Sequence, residues 1–333
     1  GTNCINRPQG HEIIRLIRTL IDFFSNEIYL ITETNIPNRE NLSYFGNRNE
    51  AHLVYNFALP PLIIYTLLKG ESNKIKQWLM AMPPAMFGTT YLNFVASHDG
   101  IGLRPVEQIL SSSEIETLVE KIKKSGGKIS YRSTKESQYP YELNITLFDA
   151  LKFHIKDNSD GFQEKRFIAA HSIMLSLEGI PAFYINSLLA SENDYHKLEH
   201  SGQNRSINRY QWDMNILIQK LSEDNHHSRS YKKLIDLIKI RKEQPAFHPN
   251  ATQFTINLGN SILALWRQSL DRKQSIFAIN NISNQKIFIQ LSDLNLIETD
   301  SWIDLIEKKP LNSTHEKITL EPYQSMWISN KYE

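Results

Sequence analysis

Tyr91-Leu92-Asn93-Phe94-Val95-Ala96-Ser97-His98-Asp99-Gly100 is apolar except for Asn93 as far as Ala96, then turns polar and ends on an acid and a glycine. An apolar run of this length between polar, Gly-containing turns reads as a buried strand. Ile28-Tyr29-Leu30-Ile31-Thr32 repeats the pattern upstream and stops at Glu33. In α/β architectures, an acid at the C-terminal end of a buried strand is placed for chemistry rather than packing. Two such acids on separate strands point to a carboxylate-based active site.

Outward from these runs, helical and strand-like segments alternate as far as about Phe247. Ile13, Ile14, Leu16, Ile17, Leu20, Ile21 and Phe24 recur at helical spacing, which predicts an amphipathic helix over 11–26. A polar loop (34–50), a strand over 52–57, helical material from Pro61 to Met82 and the 91–97 strand follow. Beyond them come a helix over 162–177, a strand over 179–185 and a helix over 229–243 that stops before Pro245. Strands alternating with helices imply a parallel sheet with helical crossovers. Residues 100–160 are a long insertion, a length that usually marks function. It carries two overlapping capping-box candidates, Ser111 with Glu114 and Ser113 with Glu116, and strand-like runs at 129–132 and 141–146. After Pro249 only short alternating runs remain (254–258, 262–266, 275–279, 286–291, 317–320, 325–328), which predict a small antiparallel β domain. The expected division is residues 1–248, with the insertion, and residues 249–333.

With 37 basic and 36 acidic side chains among 333 residues, the chain has no electrostatic reason to bind nucleic acid or an anionic membrane. Its one cysteine, Cys4, rules out an internal disulfide framework and fits a reducing compartment. The longest apolar stretch, 57–68, is broken by Pro60 and Pro61 and is too short to span a bilayer. These features predict a cytoplasmic protein with no membrane partner.

Among the candidate chemical groups, Glu33 sits in a polar rim with Thr32, Thr34 and Asn35. His98 and Asp99 leave a strand together, and Gly100 permits a sharp turn. An Asx-turn with a satisfied His is the bland alternative for this pair. Arg205-Ser206-Ile207-Asn208-Arg209 lies in the loop region after the fourth strand, where two arginines alone would be read as solvated surface. No HExxH pattern or paired-ligand spacing occurs among the 11 histidines, so no metal and no cofactor is expected. His226-His227 reads as a solvated pair in a polar linker. There is no Gly-rich phosphate loop and no GxSxG elbow.

Together, Ile31-Thr32-Glu33-Thr34-Asn35, Tyr44-Phe45-Gly46, Val54-Tyr55-Asn56-Phe57-Ala58-Leu59-Pro60-Pro61, Ala96-Ser97-His98-Asp99-Gly100-Ile101-Gly102 and Arg205-Ser206-Ile207-Asn208-Arg209 resemble one family. It is the sucrose phosphorylase and glucosylglycerate phosphorylase branch of glycoside hydrolase family 13, the α-amylase superfamily. The resemblance runs the length of the chain, and the first two segments look closer to glucosylglycerate phosphorylases. It implies strands five to eight of a (β/α)8 barrel followed by the β domain. It also implies Glu33 as general acid/base, Asp99 as transition-state stabiliser, and His98, Arg205, Arg209, Asn186 and Leu188 as substrate-binding residues. The loop from Asn186 to Asp194 would shape the acceptor and phosphate side.

The implied activity is retaining α-glucosyl transfer to phosphate: an aspartate attacks the anomeric carbon while the Glu expels the leaving group, then activates the acceptor. In the family that aspartate lies in an Arg-x-Asp context shortly before the segment matching Gly1-Thr2-Asn3-Cys4. The expectation is therefore a C-terminal fragment lacking its nucleophile and inactive alone. Its partners would be an α-glucoside, inorganic phosphate and the missing N-terminal half. A hydrolase or transglucosidase on the same scaffold and a non-catalytic carbohydrate-binding remnant are the alternatives.

Overall fold

The structure is a computed structural model that describes residues 5–25, 27–133, 138–153, 160–294, 296, 301–313 and 315–330. Cys4 and parts of the insertion (134–137 and 154–159) lie outside the described residues.

Four strands form a parallel sheet in the order β1 (Ile31–Thr32), β2 (Leu53–Tyr55), β3 (Thr90–Asn93), then Ile180–Pro181. The pairings Thr32 with Val54, Val54 with Tyr91 and Leu92 with Ile180 set the register. The strands are shorter than the apolar runs that predict them. In the 28–32 run, the Leu30 amide donates to His52 Nδ1 (2.9 Å) instead of extending the ladder. The helical material expected from Pro61 to Met82 divides in two, Leu59–Lys69 and Asn73–Ala81, because Gly70 takes a left-handed conformation and ends the first helix.

Helix Pro8–Phe24 docks differently from the expectation. Arg18 is its buried residue, with Nε on Asp22 (2.9 Å) and Nη1 on the Glu50 carbonyl (3.0 Å). Ile13, Leu16, Leu20, Phe23 and Phe24 of the same helix are exposed, Phe23 by 81%. The apolar stripe is wider than the face this helix buries against its neighbours.

In the insertion, the first of the two capping-box candidates forms. Glu114 N donates to Ser111 Oγ (3.3 Å) and Ser111 N to Glu114 Oε2 (2.8 Å), starting helix Ser112–Lys124. A three-stranded sheet follows, with β4 (Ile101–Gly102) pairing β6 (Gln138–Asn144), and β6 pairing β5 (Lys128–Ser133). The Ile180–Pro181 strand of the parallel sheet is β7 in chain order.

Helix Gln163–Ser176 is buried nearly all round. Its Arg166 is fully buried and ties three segments together, through Asp160 (2.6 and 2.8 Å), the Leu151 carbonyl (2.7 Å) and the Tyr323 hydroxyl (3.2 Å). His226-His227 is not solvated. The pair opens helix His226–Lys242, with His226 stacked on Phe148 and the buried His227 placing Nδ1 2.8 Å from the Leu189 carbonyl. A polar neighbourhood in sequence hid two rings packed under a loop.

The C-terminal residues form a six-stranded antiparallel sheet ordered Lys309–Pro310, Trp302–Asp304, Ser325–Asn330, Ser275–Asn281, Ile262–Gln268, Thr252–Ile256, plus the pair Ile287–Gln290 and Lys317–Leu320. Trp302–Asp304 and Lys309–Pro310 are too short for alternation to reveal. One hydrophobic cluster joins Leu67, Phe167 and Ile173 to Leu263, Leu265, Ile276 and Trp327. Arg267 reaches from this sheet to the Ser176 and His248 carbonyls (2.8 Å each).

Asp304 accepts from the Ile306 and Trp327 amides, and burial pushes its carboxyl up to about 6. The folded protein thus keeps a proton that the unfolded chain releases near 3.8, so this stability is full below pH 3.8 and is lost as pH rises through about 6. Buried His171, pushed down to about 4, acts oppositely: it costs stability as pH falls from 6.5 toward that value. Comparing Asp304→Asn with the native chain cancels the histidine. Thermal melts from pH 4 to pH 7 should show the variant gaining on the native protein by about 2 kcal/mol, most of the effect of a shift of about two pH units. A constant difference across the range would refute the assignment.

Candidate active site

Because β1, β2, β3 and β7 are all parallel, their C-terminal ends share one edge of the sheet. Glu33 follows β1 directly, the 94–100 segment follows β3, and Asn186 and Leu188 follow β7. This edge is the one at which α/β sheets carry ligands, since connecting loops there can vary without disturbing the ladder.

Asp99 is the hub. Its amide donates to Ser97 Oγ (3.1 Å), closing a tight turn. Asn208 Nδ2 clamps that turn through the Ser97 carbonyl (3.2 Å) and the Asp99 carbonyl (2.8 Å). Asp99 Oδ1 receives Arg205 Nη1 at 2.9 Å and Arg209 Nη2 at 3.0 Å, with His98 Nε2 at 3.5 Å. Arg209 is oriented in turn by its Nε donating to the His98 carbonyl (2.7 Å). All of these contacts fall on one oxygen of Asp99, and Oδ2 takes none of them. The two arginines expected as solvated surface when read alone are brought to the acid by the short turn Asn204–Asn208.

Glu142, on β6, completes the cluster. Its carboxylate forms a fork with Arg205, Oε1 to Nε 3.0 Å and Oε2 to Nη2 2.7 Å. That bond, more than the Asp99 charge, holds the guanidinium above its ordinary value against the opposing effect of burial. Nothing in the sequence singled Glu142 out, because it is one acid within the 141–146 strand-like run. Gly100 has a different role from the turn expected of it, as its φ is not positive. A Cβ there would sit 2.5 Å from Glu142 Oε1, so the glycine is needed for close approach.

Glu33 is exposed and makes no hydrogen bond to the Asp99 cluster among the described residues. Burial and then the Glu33 charge push the Tyr55 phenol above its usual value. Tyr55 packs against Phe57 and Phe94 at 5.6 and 5.4 Å. The two acid loops approach each other where Asn35 packs on Gly102, a Cβ on which would lie 2.5 Å from Asn35 Nδ2. Thr32 Oγ1, Asn35 Oδ1 and Asn208 Oδ1 are buried without a hydrogen-bond partner among the described residues.

Asn186 borders a small pocket together with Ala96, Ser97 and Asn208, and Leu188 is not among its lining residues. The buried Asn186 amide donates to Tyr184 Oη (2.9 Å) and the Tyr210 carbonyl (3.0 Å) and accepts from Ser191 (3.0 Å), so it ties its own loop to the segment that follows Arg209. Leu188 packs against the main hydrophobic cluster. A cavity of about 740 Å³ lies elsewhere, lined by Asn6, His11, Arg39, Glu50 and Gln108, and neither acid borders it. Among the described residues there is no group of three or more His, Cys, Asp or Glu side chains fit to hold a metal ion, and no helix is long and apolar enough to cross a membrane.

No family model matches the chain. It is 37% identical over 332 residues to a glucosylglycerate phosphorylase from Allomeiothermus silvanus, covering 98% of this chain and 56% of that protein. It is 36% identical over 332 residues to a glucosylglycerate phosphorylase from Escherichia coli, covering 98% of this chain and 57% of that one. The solved structure of sucrose 6F-phosphate phosphorylase from Thermoanaerobacter thermosaccharolyticum superposes with a TM-score of 0.70 at 19% identity, over 95% of this chain and 56% of that one, and so shares its fold. The chain thus spans little more than half the length of these relatives. Over that span it is a homologue of the glucosylglycerate and sucrose phosphorylases, the branch of glycoside hydrolase family 13 that its motifs resemble.

Proposed function

We propose that this chain is the acid/base and stabiliser half of a retaining α-glucosyl phosphorylase, built on strands five to eight of a (β/α)8 barrel with a β domain after about residue 248. The observation that carries this reading is the Asp99 carboxylate, held by Arg205 and Arg209 at the same sheet edge at which Glu33 ends β1. The relatives named glucosylglycerate phosphorylase favour phosphate over water as the acceptor.

The chemistry needs three carboxylates. A nucleophilic aspartate attacks the anomeric carbon to form a β-glucosyl ester, while Glu33 gives its proton to the departing oxygen. Phosphate then attacks that carbon and passes a proton to Glu33, releasing the aspartate and α-glucose 1-phosphate with retained configuration. Asp99, through Oδ2, bonds sugar hydroxyls more tightly as the ring flattens toward the oxocarbenium-like state. No Arg-x-Asp occurs in the 333 residues, and in this reading the nucleophile is supplied by the part of the relatives' length that the chain does not cover.

Two apolar borders support a missing half. β1 and β7 are the outer strands of the parallel sheet. Tyr29 and Ile31 are 65% and 45% exposed at one border, and Ile185, just after β7, is 58% exposed at the other. Helix Pro8–Phe24 adds Leu16, Leu20, Phe23 and Phe24. Exposed strand edges beside apolar patches of this kind are what a neighbouring unit normally covers.

The chain alone should release no glucose 1-phosphate from glucosylglycerate or sucrose plus phosphate, and turnover by the purified chain would overturn the reading. Mixed with a polypeptide carrying the other half of the barrel, it should form a complex that phosphorolyses the glucoside. Glucose in place of glucose 1-phosphate would mean a hydrolase, and tight glucoside binding without turnover a carbohydrate-binding remnant.

In that complex, Glu33→Gln should lower kcat about 10²- to 10⁴-fold with a natural glucoside, the usual contribution of general acid–base catalysis. It should recover bond cleavage with α-glucosyl fluoride, whose leaving group needs no proton. Asp99→Asn should lose both reactions. Equal losses of the Glu33 variant on both substrates would remove Glu33 from the acid role.

A further inference from the structure

We infer that Glu142 is a positioning residue that sets the Arg205 guanidinium against Asp99, with Gly100 as the slot that admits it. The inference rests on the reading that Asp99 and Arg205 serve the glucosyl site.

The burial of the two partners is unequal. The Glu142 side chain is 3% exposed and that of Arg205 is 42% exposed. A buried carboxylate must recover its lost hydration from hydrogen bonds, and a buried ion pair contributes little net stability compared with an apolar side chain of similar size. Stability therefore does not explain an acid on this strand. What the fork does supply is orientation. Two parallel bonds from one carboxylate fix the plane and rotation of a guanidinium, which a single bond leaves free. With Nε and Nη2 taken by Glu142, Nη1 is the nitrogen that reaches Asp99 at 2.9 Å.

The backbone explains why the side chain is placed for this. Glu142 pairs with Gly102 in the register of β4 and β6, so the strand that carries it runs beside the segment leaving Asp99. Its side chain lies across Gly100, where any Cβ would overlap the carboxylate. The turn, the acid behind it and the arginine in front form a sequence of contacts: Gly100, Glu142, Arg205, Asp99. The long insertion thereby supplies an orienting group to Asp99 from β6.

Two readouts test this. In the chain alone, the Arg205 Nε–Hε resonance should be ordered and slow to exchange with solvent. Glu142→Ala should speed that exchange at least about tenfold and Glu142→Gln less, with amide resonances away from residues 97–103, 128–133, 138–144 and 204–209 unchanged. Gly100→Ala removes no charge but fills the slot, and should have the same effect. The double variant should be no worse than either single one, because both break one contact chain. Unaltered exchange in Glu142→Ala and Gly100→Ala would overturn the inference, as would simple additivity.

In the reconstituted enzyme, Glu142→Gln should lower kcat about 10- to 100-fold, the range for a lost hydrogen bond to a charged group, with little change in KM. Native kcat in that variant would refute the role. If the native mixture is itself inactive, the glucosyl-transfer reading falls, while the exchange measurement still decides whether Glu142 positions Arg205.

Discussion

The parallel sheet depends on Asn93. It is fully buried at the end of β3, where an unsatisfied amide would cost a few kcal/mol. Its contacts tie β3 to the segment after β2 on one side and to both flanks of β7 on the other. Oδ1 accepts from Asn56 at 3.0 Å, Nδ2 donates to the Glu178 carbonyl at 2.7 Å, and its carbonyl takes the Ala182 amide at 2.7 Å. A slip of either neighbour by one residue would break a buried hydrogen bond and also turn an apolar face outward. The register is thereby fixed, and with it the level at which each strand ends. The edge that carries Glu33 and Asp99 follows from that register.

A second constraint ties the antiparallel sheet to this framework. Arg267 is fully buried, and burial, then the Arg241 charge, bring its guanidinium down to about 9. It stays charged at neutral pH and is held by the Ser176 carbonyl at the end of helix Gln163–Ser176 and by the His248 carbonyl just ahead of the antiparallel sheet. The first of these is a group that a helix C-terminus leaves without a partner. Arg166, at the other end of the same helix, gathers Asp160, Leu151 and Tyr323. The helix is thus pinned at both ends by buried cations, and the strand edge it supports is correspondingly rigid.

Rigid support beneath an open rim is what the site requires. Asp99 is held by cations rather than by apolar packing, so one oxygen is immobilised while the other takes none of those contacts. Glu33 has no comparable tether among the described residues, and its charge acts on the Tyr55 phenol. Hydrogen-bonded carboxylates keep fixed positions, whereas an exposed one is free to reorient. The two acids are therefore held in ways that suit the different tasks proposed for them.

Local patterning was enough to read the alternation of helices and strands, the acids at strand ends and the short strands after residue 249, because apolar periodicity reports which face of an element is buried. The motif segments were enough for the family, since several short matches in order are far more specific than any one. Glu142 was invisible because its meaning comes from an arginine 63 residues away, and a fork between distant side chains leaves no spacing to detect. Gly100 looked like a turn glycine, yet the reason for it is a carboxylate on another strand. His226 and His227 looked solvated because burial is a property of what packs on a segment. The sequence by itself determined the elements, the two acids and the family, all carried by neighbours along the chain. Only the tertiary structure decided which charges meet at Asp99 and which apolar faces stay open, because those depend on register and docking between segments far apart in the chain.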